Sequence, residues 1–197
     1  MSQARSSVRR GDTRQAILLA ATRLFLLRGY HGFSFHHLAS ELDVRTAAVH
    51  YHFPSKADLG LALLKRFREE FDWWRASCDQ LNLSGEARLE RFYALDRGYA
   101  ADGRVCPLGV VGVEYAGLPE TVRREADGLI DDVQAYLVAS LTQGRDDGSL
   151  RVPGEPAVIA HQILAATQGG LQLSRLQGAA SYEAVLSGLR SLLAPSR

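Results

Sequence analysis

Apolar residues recur at helical spacing along almost the whole chain. A first stripe ends at Gly29, a residue type that commonly terminates helices. Its members are Ile17, Ala20, Ala21, Leu24 and Phe25. Further stripes predict helices over 84–101, 107–116 and 119–143, and two more follow the loop over 145–156. Because strand alternation of useful length is missing, the pattern predicts an all-α protein of about nine helices.

Two short helices are predicted within residues 34–56. Apolar residues at i, i+3, i+4 and i+7 form the first helix, which Ser34 can cap through its hydroxyl. After a short break, a second helix over 46–53 turns Val49 and Phe53 inward. Its outward side chains are small or hydrogen-bonding, which suits a helix that enters a major groove and contacts base edges. This segment is therefore predicted to be a helix-turn-helix that reads DNA.

The order of motifs from Thr13 to Leu59 resembles the amino-terminal domain of the TetR family of transcriptional regulators. The matching segments are TRQAILLAATRLFLLRGY, FSFHHLASELDV, AAVHYHF and PSKADL. Two positions depart from the commoner pattern of the family: Asp43 stands where a glycine usually allows a left-handed turn, and His50 where a phosphate-contacting tyrosine is more usual. Aspartate tolerates the left-handed conformation, so the turn is still expected.

This resemblance implies a division of the chain into three parts. Residues 1–11 are polar and basic without periodicity, and we expect a flexible arm. The N-terminal three-helix, helix-turn-helix DNA-binding domain is assigned to 12–71, and the larger helical effector-binding and dimerisation domain to 72–197. Ser55 and Asp58 have the spacing of a capping box, which predicts the start of a long helix that bridges the two domains.

The net charge of +1 conceals an uneven distribution. Residues 1–56 carry eight Lys and Arg against three Asp and Glu, a net charge of +5, so the remainder carries −4. A basic head on a mildly acidic body is typical of phosphate binding confined to one end of a protein. A solvated charged face is the alternative explanation, and the helix-turn-helix favours DNA.

The expected DNA contacts lie in and around the second short helix. They are Ser34, Arg45, Thr46, Ala47, His50, Tyr51, His52 and Lys56. Bases are expected to be met by Thr46, Ala47 and Tyr51. The DNA backbone is expected to be met by Ser34, His50, His52 and Lys56. Lys56 falls in the first turn of a helix, where backbone N–H groups and a cation together favour a phosphate.

Aromatic and polar residues mix in the middle of the chain, as a small-molecule pocket requires. The expected ligand-binding residues are Trp74, Phe92, Cys106, Val110, Glu114, Tyr115, Tyr136 and Gln168. Taken singly, a residue of this kind is more often part of the core or the surface than a ligand contact. The TetR resemblance implies the location of the pocket and does not identify its occupant.

A surface for homodimerisation is expected on the last two long helices. Small residues there would let another helix approach closely: Ala165, Ala166, Gly169 and Gly170. We also place Leu171 and Leu189 in this apolar seam, although the same stripes fit an intrachain core. A dimer can present two reading helices to successive grooves of a palindromic operator, about 34–36 Å apart. The TetR resemblance implies the same arrangement.

Cys106 precedes Pro107, which fits the first position of a helix and makes Cys106 its capping residue. The helix dipole and Arg104 would both favour a thiolate there, and the site resembles a cysteine found in a branch of TetR-like regulators, some of which respond to electrophiles or oxidants. Packing as a small buried hydrophobe is the alternative. A thiol-dependent enzyme that pairs Cys106 with His161 is a further alternative, although no catalytic motif accompanies them.

The remaining features narrow the class of protein. The sequence has no apolar run of membrane-spanning length, and its N-terminus lacks the apolar core of a signal peptide, so a cytoplasmic protein is expected. Neither cofactor nor metal is expected, because the two cysteines and the histidine pairs lack ligand spacing. We predict a transcriptional repressor, not an enzyme, that a small molecule releases from double-stranded DNA, with electrophiles among the candidates. A structural or membrane-surface helical protein would leave the basic head unexplained.

Overall fold

The computed structural model describes residues 10–195, with side chains from Thr13 onward. Over this range the chain forms nine α-helices and one 3₁₀ turn and contains no strand. The helices are α1 Arg10–Arg28, α2 Phe35–Glu41, α3 Thr46–His52, α4 Lys56–Asp79, α5 Gly85–Ala101, α6 Pro107–Glu114, α7 Glu120–Asp146, α8 Pro156–Gln177 and α9 Ala179–Leu193, with the 3₁₀ turn at Tyr115–Gly117. The predicted all-α class is confirmed.

Helices α1 to α3 form the head of the molecule around a shared apolar core. The stripe predicted on α1 is buried, and α1 is followed directly by Gly29, whose φ of +82° is left-handed. Ser34 caps α2 in a reciprocal box with His37. Asp43 adopts a φ of +51°, as expected of an aspartate in the left-handed turn between the two short helices. Val49 lies on the buried face of α3.

Helix α4 joins the head to the body of the molecule. It opens with the predicted capping box, in which the Asp58 backbone N–H donates to the Ser55 hydroxyl and the Ser55 N–H to the Asp58 carboxylate. Its buried face begins in the head at Leu59 and continues into the body at Phe71. The helix crosses residue 71 without a break, so the two domains share one continuous apolar core.

The body is built around α7, which packs against α4, α5 and α8, while α8 packs along α9. Two glycines allow a close crossing of α5 and α7: a Cβ on Gly85 would lie 2.2 Å from the Gly144 backbone. A third glycine, Gly178, separates α8 from α9 with a φ of +89°. No helix among residues 10–195 is long and apolar enough to cross a membrane.

Several sequence-based expectations need correction. Leu171 and Leu189 are buried within the chain, so they belong to the core of the body and not to a dimer seam. Gly170 also faces inward, because a Cβ there would meet the Tyr182 ring at 2.9 Å. Helix α1 begins at Arg10, so the last two residues of the predicted arm are helical. The rest of that arm lies outside the described residues.

Candidate DNA-binding surface and effector cavity

The second helix of the helix-turn-helix, α3, presents a polar surface to solvent. Val49 anchors it to the core, which leaves Ala47 and His50 exposed and Thr46 half-buried. The Tyr51 side chain is 66% exposed and its ring packs edge-on against His52. Small and hydrogen-bonding groups on the outer face of a short helix can fit a major groove.

Ser34 and His50, two of the residues expected to contact the DNA backbone, also make contacts within the head. The Ser34 hydroxyl accepts a hydrogen bond from the His37 backbone N–H. The His50 ring packs edge-on against Phe35, and its Nδ1 lies 3.4 Å from the Pro54 carbonyl oxygen. Arg45 is exposed at the N-cap of α3, where a guanidinium can reach a phosphate.

Lys56 is engaged within the head. Its Nζ donates to the Phe33 carbonyl oxygen at 2.5 Å and lies about 5 Å from the centres of the Tyr30 and Phe33 rings. Partial burial lowers the pKa of this ammonium. Lys56 therefore anchors the turn between α1 and α2, although the sequence placed it on DNA.

The carboxylate of Glu114 bridges the head and the body, in addition to the continuous core that they share. Glu114, the last residue of α6, accepts hydrogen bonds from the backbone N–H of Tyr30 at 2.5 Å and of His31 at 3.2 Å. These N–H groups lie directly beyond the C-terminus of α1, and Gly29 leaves room for the carboxylate. The sequence placed Glu114 in the ligand pocket, whereas the structure places it at the contact between head and body.

A cavity of about 110 Å³ lies in the body among α4, α5, α7, α8 and the start of α6. Its walls are mostly aromatic and aliphatic, with polar groups contributed by Glu70, Asp96, Cys106 and Gln168. The lining residues are Phe67, Glu70, Phe71, Trp74, Phe92, Leu95, Asp96, Tyr99, Cys106, Pro107, Leu108, Leu129, Val133, Leu164 and Gln168. Apolar walls with a few polar groups are typical of small-molecule sites.

Four of the eight ligand-binding residues expected from sequence line this cavity: Trp74, Phe92, Cys106 and Gln168. The others lie elsewhere. Tyr136 supports the wall from behind, since its ring packs on Trp74 at 4.9 Å and its hydroxyl donates to the Arg88 carbonyl oxygen. Tyr115 donates to the Asp127 carboxylate, and Val110 lines a groove among α1, α6 and α8.

Asp96 is the lining residue with the most unusual environment, and the sequence analysis missed it. Its side chain is 4% exposed, and Tyr182 donates to it at 3.3 Å. Burial raises the pKa of this carboxyl to about 7. A signal was present in the sequence, because Asp96 interrupts the apolar stripe formed by Leu89, Phe92, Tyr93 and Ala100.

Cys106 caps α6 and faces the cavity, as expected from the sequence, but its thiol is not activated. The thiol donates to Gln168 Oε1 at 2.9 Å. Burial, together with the nearby Asp96 carboxyl, raises the pKa of the thiol to about 12. Arg104 cannot oppose this effect, because its guanidinium pairs with Asp102 and lies over the Tyr99 ring. The prediction that Cys106 is present as a thiolate is therefore wrong.

The cysteine–histidine pair considered for a thiol-dependent enzyme is not formed. His161 is exposed on α8, where its Nδ1 lies 2.7 Å from the Ala157 carbonyl oxygen, whereas Cys106 is buried and bonded to Gln168. Among the described residues, no group of three or more His, Cys, Asp or Glu side chains is placed to hold a metal ion.

A DNA-reading head joined by a bridging helix to a body with an internal cavity defines a helix-turn-helix transcriptional regulator with a ligand-binding domain. Comparison with known families agrees. The profile described as "Bacterial regulatory proteins, tetR family" matches residues 17–63, and "Tetracyclin repressor-like, C-terminal domain" matches residues 85–187. The chain belongs to the TetR family of transcriptional regulators.

Individual relatives span nearly the whole chain. The HTH-type transcriptional repressor BepR of Brucella suis is 28% identical over 192 residues, which cover 94% of this chain and 91% of BepR. The HTH-type transcriptional repressor NemR of Escherichia coli K12 is 26% identical over 191 residues, which cover 93% of this chain and 94% of NemR. A TetR-family regulator structure from Agrobacterium tumefaciens matches with a TM-score of 0.89 at 26% identity, covering 94% of this chain and 99% of that one.

Proposed function

We propose that this protein is a homodimeric repressor that binds a palindromic operator and is released when a small molecule occupies the cavity in its body. The observation that carries this proposal is the path between the two sites: α6 starts at the cavity wall and ends on the backbone of the DNA-binding head. BepR and NemR are named as repressors, which favours repression over activation.

The proposed DNA contacts follow from the exposure of α3 and its flanks. Thr46, Ala47 and Tyr51 are assigned to base edges. Backbone contacts are assigned to Ser34, Arg45, His50 and His52, and Lys56 is assigned to holding the turn that presents them. Phosphate contacts position the head, whereas the base contacts determine which sequence it prefers.

The proposed dimer interface is the outer face of α8 and α9. Many of its exposed residues are small or apolar, and these include Val158, Ala165, Gly169, Leu173 and Leu176 on α8, with Ala184, Gly188 and Leu192 on α9. Leu176 is 82% exposed, and a Cβ on Gly169 would meet no atom within 4 Å. Small residues allow close helix contact, and a two-fold axis would join the same face of two copies into a four-helix bundle.

Release is proposed to proceed through α4 and α6. Phe67, Phe71 and Trp74 of α4 line the cavity, and the same helix carries Leu59 in the head core. At α6, Cys106 lies at the cavity and Glu114 holds the Tyr30 N–H. A ligand that fits the cavity better when these helices move shifts the equilibrium toward a head spacing that no longer matches the operator.

The effector is proposed to bind without covalent attachment. A thiol whose pKa is raised to about 12 is protonated at neutral pH, and the thiolate is the nucleophile that electrophiles need. Electrophiles, which the sequence left among the candidates, are therefore not favoured as effectors by the environment of Cys106.

DNA retardation tests the proposal. A palindromic fragment from upstream of the protein's own gene should give a complex that survives excess competitor DNA, and Tyr51→Ala should weaken this preference. A reporter driven from the same fragment should be repressed, and a small-compound panel should contain inducers. Leu164→Phe, which fills the cavity wall, should repress normally and lose induction. The proposal would be refuted if the protein bound the palindrome and the competitor DNA equally well. It would also be refuted if the inducers acted on Leu164→Phe as they do on the wild type.

A further inference from the structure

The charged side chains that line the cavity are all acidic. Its lining includes two carboxylates, Glu70 and Asp96, and no lysine or arginine among the described residues. Glu70 pairs with Arg66 at 2.8 Å, so its charge is partly balanced, whereas Asp96 is hydrogen-bonded by two neutral hydroxyls, those of Tyr182 and Thr167. An anionic ligand would meet a carboxylate without a compensating cation, which is unfavourable in a buried site.

No lysine, arginine or histidine among the described residues is paired with Asp96, whereas a buried carboxylate normally has a counter-ion. Buried charges are usually paired with an opposite charge or a metal, because losing hydration is otherwise costly. The hydroxyl groups of Tyr182, at 3.3 Å, and Thr167 supply hydrogen bonds to Asp96 but no positive charge. The site is consistent with a cation that arrives with the ligand.

The walls beside Asp96 are aromatic. Phe71 and Trp74 stack with their ring centres 5.5 Å apart, and Phe92 and Tyr99 of α5 complete this side of the cavity. Aromatic faces attract cations and also bury a hydrocarbon skeleton. A cavity of about 110 Å³ restricts this skeleton to a few carbon atoms, since an apolar protein cavity of about 150 Å³ holds benzene.

We propose that this cavity binds a small organic ammonium ion, with the Asp96 carboxylate as its counter-ion and the aromatic walls around its carbon skeleton. This assignment rests on the proposed function, because it names the chemical class of the effector. Gln168 also lines the cavity, and its side-chain carbonyl oxygen offers a further acceptor for an ammonium N–H.

The proposal predicts a dependence on pH. The titratable groups facing Asp96 are Tyr182 of α9, Tyr99 of α5, Cys106 before α6 and Glu70 of α4, while α7 and α8 contribute neutral side chains. Burial raises the pKa of both phenols and of the thiol, so these three stay protonated near neutrality. Asp96, with a pKa of about 7, then loses its proton in this range, and ammonium binding should strengthen between about pH 6 and 8.

Three probes with one branched skeleton separate the possibilities: isobutylamine, isobutanol and isobutyrate. Titration calorimetry of the full chain should show the amine binding about tenfold or more tightly than the alcohol, as a charged hydrogen bond implies, and no binding of the acid. Asp96→Asn should bring the amine to the affinity of the alcohol and leave the alcohol unchanged. Asp131→Asn, at an exposed carboxylate of α7, should change neither.

Equal or tighter binding of the alcohol or the acid, retention of amine affinity in Asp96→Asn, or no binding of any probe would overturn the ammonium site. If the alcohol or the acid binds and releases operator DNA while the amine does not, the ammonium site fails and the proposed repressor function stands. If the amine binds through Asp96 and operator affinity does not change, the ammonium site stands and ligand-driven release fails.

Discussion

At the scale of single residues, burial determines which groups can respond to their surroundings. Cys106 occupies a helix N-cap, which lowers a thiol pKa when the site is open to solvent. Here the thiol is buried beside Asp96, and the opposite shift results. Sequence shows the position of a residue in a helix but not its burial, so the thiolate prediction failed while the predicted cap was correct.

Asp96 should make the stability of the protein depend on pH. Its pKa rises from 3.8 to about 7 on folding, so between these values the folded protein holds a proton that the unfolded chain has released. The stabilisation is present below the lower value and is lost as the pH rises through the upper one. Relative to wild type, Asp96→Asn should therefore gain roughly 2–3 kcal/mol of unfolding free energy between pH 5 and 8.

Urea unfolding of the wild type and of Asp96→Asn at pH 5 and pH 8 measures the difference in unfolding free energy between the two proteins. The contributions of the other titrating groups are common to both proteins and cancel in this difference. An unchanged difference between pH 5 and pH 8 would show that Asp96 titrates as an ordinary exposed carboxyl.

Two side chains around α3 should differ in what they recognise. Tyr51→Ala should cost about 1–3 kcal/mol on the operator and little on random DNA, because a base contact carries sequence preference. Arg45→Ala should weaken both complexes alike and reduce the salt slope by about one, because a phosphate contact releases one counter-ion. Fluorescence anisotropy at several salt concentrations distinguishes the two. The same loss on both DNAs for both variants would refute this assignment.

At the scale of elements, hydrophobic periodicity predicted where helices lie but not which face of α8 is buried. Gly169 and Gly170 are adjacent and about 100° apart around the helix axis. Gly170 meets Tyr182, whereas Gly169 faces open space. Because α8 is apolar on more than one side, its stripe could not separate the core at Leu171 from the outer face at Leu173.

Gly169→Glu should therefore dissociate the proposed dimer without unfolding the protomer. The new side chain fits the surface of a single chain but brings bulk and like charges onto a two-fold interface. Light scattering should show a monomer with unchanged helical circular dichroism. Gly98→Glu, the same change at an exposed and open position of α5, should remain dimeric. A dimeric Gly169→Glu protein would show that the interface lies elsewhere.

Helix α6 should hold the turn after α1 in the head through Glu114. Removing a charged acceptor from a backbone N–H costs about 1.5–3 kcal/mol, so in Glu114→Ala the Tyr30 and His31 amides should exchange hydrogen roughly tenfold or more faster. Amides in the middle of α1 should keep their rates, and Glu120→Ala, at an exposed carboxylate of α7, serves as the control. Unchanged exchange at Tyr30 and His31 would remove α6 from the proposed route.

At the scale of the whole molecule, the head was the part most fully predictable from sequence. Its capping boxes, the Asp43 turn and the buried Val49 are local features, set by residues close together in the chain. The cavity is assembled from five helices spread between Phe67 and Gln168. Such long-range packing is only indirectly visible in the sequence. Asp96, an acidic residue within the apolar stripe of α5, was one such indication.

The proposed function depends most on a dimer that reads two half-sites. The affinities for a full palindrome, a single half-site and a palindrome with separated half-sites test this directly. A full palindrome should bind two protomers and exceed a single half-site by several kcal/mol, toward the about 4–10 kcal/mol that separates specific from non-specific binding. Moving the half-sites apart by about half a helical turn should remove the gain, because the two α3 helices would then face opposite sides of the duplex. Equal affinity for half-site, palindrome and spaced palindrome, with one protomer bound, would contradict the account.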